Sequence, residues 1–333
     1  MIILNVLSLR NFNVVFVALF FYISGCQTSG DSIKSRSVGA PGELLVVMDK
    51  GLQKTEVKRV IAAFANQEFP CVPQAEPTFK VSSITPNDFE GHFKAYRNII
   101  IVQQKALDKP KILFRRSVWA RHQQVVEIEI PNIASFSKVF KDHQSQIFDF
   151  LYYGDIKTMK LANFKGADTA TRRYIHDKHG VKMVLPKGYR LVKDTADFSW
   201  FRFDRLETSM HIVLKSFELE NISSISDKDL VHLRDSVGRV FIPGPSELTC
   251  MQTEKTIPVV SKRMVVNGLN VIEVRGLWKV EGFFMGGPFV DYFIIDDANG
   301  RLLMIDGFVH APQKQNKAYY VRLIESILQS VKI

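Results

Sequence analysis

The run Phe289-Val-Asp-Tyr-Phe-Ile-Ile-Asp296-Asp-Ala-Asn-Gly300-Arg-Leu-Leu-Met-Ile-Asp-Gly-Phe-Val-His310 consists of two apolar stretches joined by a cluster of turn residues. Each stretch has the length and the branched and aromatic content of a strand. Asn299-Gly300 suits the positive φ of a tight hairpin, so 289–296 and 301–310 pair antiparallel. Working upstream, the same texture predicts strands over 256–266, 270–278 and 280–285. Earlier still, strands are expected at 181–185, 189–192, 198–204 and 210–217. Ser226-Asp-Lys-Asp is an N-cap signature that opens a helix to about Val240, stopped by Pro243-Gly-Pro245. A helix over about 169–179 ends at Gly180, a C-cap residue. A last amphipathic helix, about 314–331, turns Val321, Ile324, Leu328 and Val331 onto the sheet. Residues 170–333 therefore read as a mostly antiparallel sheet packed by helices.

The preceding segment, 41–155, opens with Glu43-Leu-Leu-Val-Val-Met-Asp49, an apolar run that reads as a strand buried on both faces. A helix over 54–67 follows, with Val57, Val60, Ile61 and Phe64 at helical spacing. A loop punctuated by Pro70, Pro73, Pro77 and Pro86 comes next. Then come strands at 97–103, 112–119 and 124–130, and a helix from Ser135 to Tyr152. The polar stretch 154–170 is the expected boundary. The fold class is α+β, an α/β sandwich in two segments, each with a mostly antiparallel sheet packed by helices.

The chain has 333 residues, 46% hydrophobic and 23% charged, with 25 Phe and a net charge of +10. That composition excludes a disordered chain, a collagen-like repeat and a polytopic membrane protein. Three cysteines are too few for a disulfide scaffold. Cys71 and Cys250 read as small partly buried thiols, with a disulfide stapling the two segments as the alternative.

The first 25 residues carry a single cation, Arg10, then the uncharged run Val14–Ile23, then Ser24-Gly25-Cys26. Ten apolar residues as a helix reach about 15 Å, half a hydrocarbon core, which is the proportion of a signal peptide and short for a membrane span. Small residues directly before a cysteine are the processing site of a bacterial lipoprotein. Residues 1–25 are thus expected to be a lipoprotein signal, with Cys26 as the lipid attachment site and 26–40 as a flexible Ser/Gly-rich tether. The expected location is the cell envelope, anchored in the outer membrane and facing the periplasm or the surface, since Gln27 rather than Asp follows the cysteine. An envelope location removes nucleotide cofactors and nucleic acid from the expected partners. The basic balance points to an acidic protein partner or an anionic lipid or glycan, or is simply a solvated surface.

Several stretches resemble a catalogued family. Gly39-Ala-Pro-Gly-Glu-Leu-Leu-Val-Val-Met-Asp49, Arg97-Asn-Ile-Ile-Ile-Val, Pro243-Gly-Pro245, Arg275-Gly-Leu-Trp278 and Met285-Gly-Gly-Pro-Phe289 are similar to Bacteroidota lipoproteins with domain of unknown function 4837. The resemblance spans nearly the whole chain after the leader and implies an envelope lipoprotein; it implies no activity. The C-terminal half is also similar in element order to Mog1/PsbP-like domains, on Leu185-Pro-Lys-Gly-Tyr189, the Asn299-Gly300 hairpin and the closing helix. That likeness implies binding and assembly.

No nucleophile elbow, metalloprotease motif or phosphate loop is present, so neither catalytic residues nor a cofactor are assigned. His176 and His179 share a helix face at zinc-like spacing but have no third ligand nearby, and histidine at a helix C-terminus also suits the dipole. No metal is expected. Glu273, Glu281 and Asp291 fall on neighbouring predicted strands and make an envelope glycan or peptide hydrolase the alternative function. The leading expectation is a non-enzymatic binding or assembly module. Its candidate ligand-binding residues are Arg275, Trp278, Met285, Gly286 and Gly287, in the most unusual local run of the chain; a tight strand turn packed by aromatics is the competing reading.

Overall fold

Leu44–Val47 and Ile99–Val102 are apolar at every successive position, and all eight side chains are buried. Strands that lack a wet face can lie at the centre of a parallel sheet covered on both sides. The computed structural model describes residues 34–218 and 225–333. It places those runs as two of the three inner strands of a five-stranded sheet. Its strands are β1 (Glu43–Val47), β2 (Lys80–Ile84), β3 (Asn98–Gln104), β4 (Lys111–Arg116) and β5 (Gln124–Ile130), in the order β2-β1-β3-β5-β4. β1 runs parallel to β2 and β3, and β3 runs parallel to β5; the β4–β5 pair is antiparallel. The expectation of a mostly antiparallel first sheet is therefore corrected. The helix α1 (Glu56–Ala65) carries the chain from β1 to its parallel neighbour β2, and Thr55 caps it by accepting from the Val57 N–H.

The second sheet is antiparallel in every pairing. It comprises β6 (Arg190–Thr195), β7 (Phe198–Arg205), β8 (Thr208–Glu218), β9 (Met251–Thr253), β10 (Val260–Val266), β11 (Leu269–Val280), β12 (Gly286–Asp296) and β13 (Arg301–His310). The order is β10-β11-β12-β13-β8-β7-β6, with β9 alongside the end of β11. The 289–310 hairpin forms as the sequence predicts: Gly300 takes φ +59° and the Asn299 amide donates to the Asp296 carboxylate. Predicted strand 280–285 is instead the end of β11 plus a turn. Predicted strand 181–185 makes only a bridge between Lys182 and Lys332.

Among the described residues four further α-helices follow α1 and α2 (Ala134–Asp142): α3 (Gln144–Lys165), α4 (Thr169–His179), α5 (Asp227–Phe241) and α6 (Lys317–Leu328). The helix expected over 135–152 is broken at His143 and then continues to Lys165, through residues read as a polar linker. Asp155 in that stretch is fully buried and accepts from the Gly42 N–H at 2.8 Å and the Asn98 side chain at 3.0 Å. A buried carboxylate with such partners is a structural clasp. Helix α6 lies on the inner face of the second sheet, so close that a methyl on Gly307 would meet Ile324 at 2.1 Å. One continuous apolar core runs from Leu44 and Ile100 of the first sheet through α3 and α6 to Tyr292 and Ile305 of the second. Helix α5 covers the outer face of the second sheet over a separate core containing Phe289, Phe293 and Phe308. Residues Ser35–Ile333 form one compact unit. Cys26 and residues 1–25, where a lipoprotein signal is expected, lie outside the described residues, and among the described residues no helix is long and apolar enough to cross a membrane.

Candidate functional site

Strand alternation decides which of the candidate residues meet. Arg275 and Trp278 are three apart on β11, an odd spacing, so they leave opposite faces of the sheet. Trp278 joins the outer core beneath α5. Arg275 faces α6, where it is buried and engaged twice: bidentate to Glu273 at 2.7 and 3.0 Å, and to Glu325 of α6 at 2.9 Å. Tyr152 of α3 donates to the other oxygen of Glu325 at 2.6 Å. Arg275 is thus a fastener between sheet and helix, with its cation already matched, and does not join the other candidates. The expectation of one pocket holding all five residues is corrected.

Trp278, Met285, Gly286 and Gly287 do come together, at the end of the second sheet where β11 turns into β12. The pairing of Trp278 with Gly287 and of Lys279 with Gly286 requires the glycines. A methyl on Gly287 would stand 2.0 Å from the Val309 carbonyl oxygen, and one on Gly286 would stand 2.5 Å from the Trp278 carbonyl. The closely approaching group is backbone, as in the tight-turn reading, yet the turn also opens a cleft of about 340 Å³ that Trp278, Met285, Gly287, His310 and Lys317 help to line. On the other side of Trp278 lies a second cleft, about 240 Å³, bordered by Trp200, His211, Phe308 and the Pro243-Gly-Pro245 turn. Trp278, Met285 and His310 belong to both. Phe283 and Phe284 stand exposed on the turn, and Leu248 stands exposed on the loop that follows Pro245.

The wall between the clefts is held by a chain of ring contacts. The Trp278 indole N–H donates to the Val309 carbonyl at 3.1 Å, and its ring meets Phe308 edge-on at 5.5 Å. His211 stacks on Phe308 at 4.3 Å. Trp200 donates to His211 Nδ1 at 3.1 Å, so the imidazole proton sits on Nε2, which faces the Ser209 hydroxyl at 2.8 Å. Burial, with Arg202 nearby, pushes His211 down to about 3. The imidazole is neutral and fixed at physiological pH.

A pH dependence follows. Because the folded value lies below that of a free imidazole, the unfolded chain binds a proton that the folded chain does not, so acid favours unfolding. His211→Asn keeps an acceptor for Trp200 and removes the titration. The stability advantage of the native residue is expected to be full above about pH 6.5 and to shrink by about 1.4 kcal/mol per pH unit below it. Urea unfolding of both proteins from pH 7 to pH 4.5 reads this directly; a constant difference would show that His211 is not buried neutral.

The other candidates separate. Glu273 is with Arg275 on the inner face, Asp291 is on the outer face beneath α5, and Glu281 is exposed on the turn. They share no cleft. Cys71 and Cys250 are both free thiols. His179 is buried against Ser199 at 2.8 Å, while His176 is exposed beside Asp177; among the described residues no cluster is suited to a metal ion. Sequence reasoning missed the contributions of Trp200, His211 and His310, which lie on β7, β8 and β13 and meet Trp278 only through strand order.

Residues 168–330 match the family described as Domain of unknown function (DUF4837), and residues 37–163 match a second, Domain of unknown function (DUF8532). The motifs at Gly39–Asp49 and Arg97–Val102 therefore fall within the second family. No curated protein matches the chain. Among solved structures, the Ran-binding protein Mog1p of Saccharomyces cerevisiae is similar at 10% identity and a TM-score of 0.30, covering 46% of this chain and 89% of its own. Human StAR-related lipid transfer protein 5 is similar at 9% identity and a TM-score of 0.21, covering 52% and 97%. Both scores are too low to bear on function. The chain thus carries a DUF4837 domain over 168–330, which supplies most of the lining of the Trp278 clefts, preceded by a DUF8532 domain whose Pro73 and Gln74 reach the first of them.

Proposed function

We propose that this protein is a lipoprotein of the bacterial cell envelope, of the Bacteroidota type, anchored through Cys26 in the outer membrane. In this reading it binds a protein partner at the Trp278 clefts and carries out no reaction there. The observation that carries it is convergence. Trp200, His211, the Pro243–Pro245 turn, the Trp278–Gly287 run and His310 are far apart in sequence, yet they border one aromatic wall whose rings are fixed by hydrogen bonds and stacking. Rigid aromatic pockets flanked by exposed apolar side chains favour an apolar anchor from a partner, because little entropy is lost on binding. Support for the anchor is the order of features in the sequence: Arg10, the apolar run, Ser24-Gly25, Cys26. A hydrolase using Glu273, Glu281 and Asp291 is disfavoured by their separation on two sheet faces and a turn.

The test uses a photoreactive phenylalanine analogue in place of Phe284, with Val265, exposed near the end of β10 at the far end of the sheet, as control. One adduct from position 284 in intact cells and none from 265 is expected. Phe284→Asp is expected to abolish that adduct's partner in pull-downs while changing stability by less than about 0.5 kcal/mol, because the ring is fully exposed. The same adducts from both positions would overturn the reading. Incorporation of a clickable palmitate into the native chain and not into Cys26→Ser tests the anchor separately.

A further inference from the structure

Thr169, Arg172, Arg173 and His176 are spaced i, i+3, i+4, i+7 along α4, which sets them on one helix face. That face borders a cleft of about 440 Å³ whose other side carries Lys182 and Lys332. The two lysines pair through both backbone hydrogen bonds, at 2.7 and 2.9 Å, so their side chains emerge together on one side. Arg172, Arg173, Lys182 and Lys332 are exposed, and among the described residues none of them has a carboxylate partner and no acidic residue lines the cleft. The floor is apolar, from Phe164, Met183 and Val184. Positive charge on both walls over an apolar floor matches a phosphate group with hydrocarbon attached.

The cleft is one end of a longer basic belt. Lys160, partly buried, is lowered by that burial and then by Lys332 and Lys157. His122 is lowered by burial and then by Arg36, Arg121, Lys165 and Lys157. Like charges within mutual reach thus run from the α4 cleft along α3 to Arg36, whose backbone is bridged to Arg121. Arg36 is the second residue of the folded body, which begins at Ser35. If Cys26 carries lipid, as proposed above, the residues between it and Ser35 span at most roughly 30 Å when fully extended. The belt therefore begins within a tether's length of the bilayer.

We propose that this belt seats the protein on an anionic phospholipid surface, with a lipid phosphate entering the α4 cleft between Arg172, Arg173, Lys182 and Lys332. The choice of a surface rests on the anchor reading; the cleft and its charge do not. The test uses the full chain carrying Cys26→Ser, so that binding is not imposed by acylation. Sedimentation with phosphatidylcholine vesicles is compared with vesicles that also contain phosphatidylglycerol. The leader is common to all variants and sets the baseline on neutral vesicles, so the ratio is the readout. A preference of roughly tenfold or more for anionic vesicles, falling steeply with added salt, is expected. Arg172→Gln with Arg173→Gln is expected to remove most of it, whereas Lys58→Gln with Arg59→Gln, which deletes the same charge from α1, should leave it intact. No preference for anionic vesicles, or equal losses in both double variants, would overturn the proposal. So would displacement by millimolar inorganic phosphate at constant ionic strength, which would assign the cleft to a free anion. Failure of palmitate labelling with binding retained would remove the anchor and leave the belt.

Discussion

Arg234→Met is expected to lower the stability of the folded protein by about 3–5 kcal/mol, enough to unfold many single domains. Arg234 of α5 is almost fully buried. Its guanidinium lies 3.2 Å from Asp291 and 3.1 Å from Asp306, and 3.7 Å from the centre of the Phe289 ring. Asp291 and Asp306 are direct cross-strand neighbours on β12 and β13. Burial, then the charge of Asp306, holds the Asp291 carboxyl well above the usual carboxylate range. The triad thus sets two buried carboxyls against one buried cation, and its surroundings favour the neutral form of Asp291. Removing the arginine leaves two acids in an apolar core with no cation, and either a bare charge or a second proton must be accommodated. Adding Asp291→Asn and Asp306→Asn to the same variant removes the orphaned charges and is expected to restore most of the loss. Urea unfolding at pH 7 compares the three proteins. A loss under about 1 kcal/mol for the single variant would mean that the triad is wetter than its burial implies.

Gly287→Ala should be nearly as damaging, by about 3 kcal/mol, for a steric reason. The added methyl would stand 2.0 Å from the Val309 carbonyl, and that carbonyl is the acceptor of the Trp278 indole. Either the β12–β13 ladder parts or the indole turns away. Near-ultraviolet dichroism and tryptophan fluorescence should change together with the unfolding midpoint. Gly51→Ala serves as control: its backbone is already right-handed helical at φ −59° and the position is open, so stability should hold or rise slightly. Equal, small effects at both positions would show that the Gly286–Gly287 turn yields easily and that the wall is not rigid.

The parts legible from sequence are those in which local chemistry and tertiary structure agree. The α4 end at Gly180, the Ser226 capping box of α5 and the 289–310 hairpin each carry their own signals. β2 was hidden because four of its five side chains are exposed, which leaves no alternation to read. The second half of α3 was hidden because Asp155 and Thr158 are polar yet buried, a combination that composition reads as linker. The central place of β1 and β3 in the first sheet is legible, because their unbroken apolar runs signal burial on both faces; their parallel direction is not, because burial carries no sign of direction. At the candidate site, nearness along the chain misled. Arg275 and Trp278 are close in sequence but separated by the sheet, whereas Trp200 and His211 meet Trp278 through strand pairing alone. The α4 cations carry no signal of their own: Arg172 and Arg173 read as an ordinary solvated helix face, and only the fold brings Lys182 and Lys332 opposite them.

Helix α6 is made from nearly the last residues of the chain, yet it lines the core that both sheets share. Glu76, 241 residues before Lys317, accepts from the Lys317 and Ala318 N–H groups at its start, and Asn267 reaches the Gln329 and Val331 carbonyls beyond its end. Because this one helix closes the core of both sheets, neither half keeps a complete interior without it. The two sheets are therefore expected to melt in a single transition, with α6 as the shared keystone, rather than one after the other.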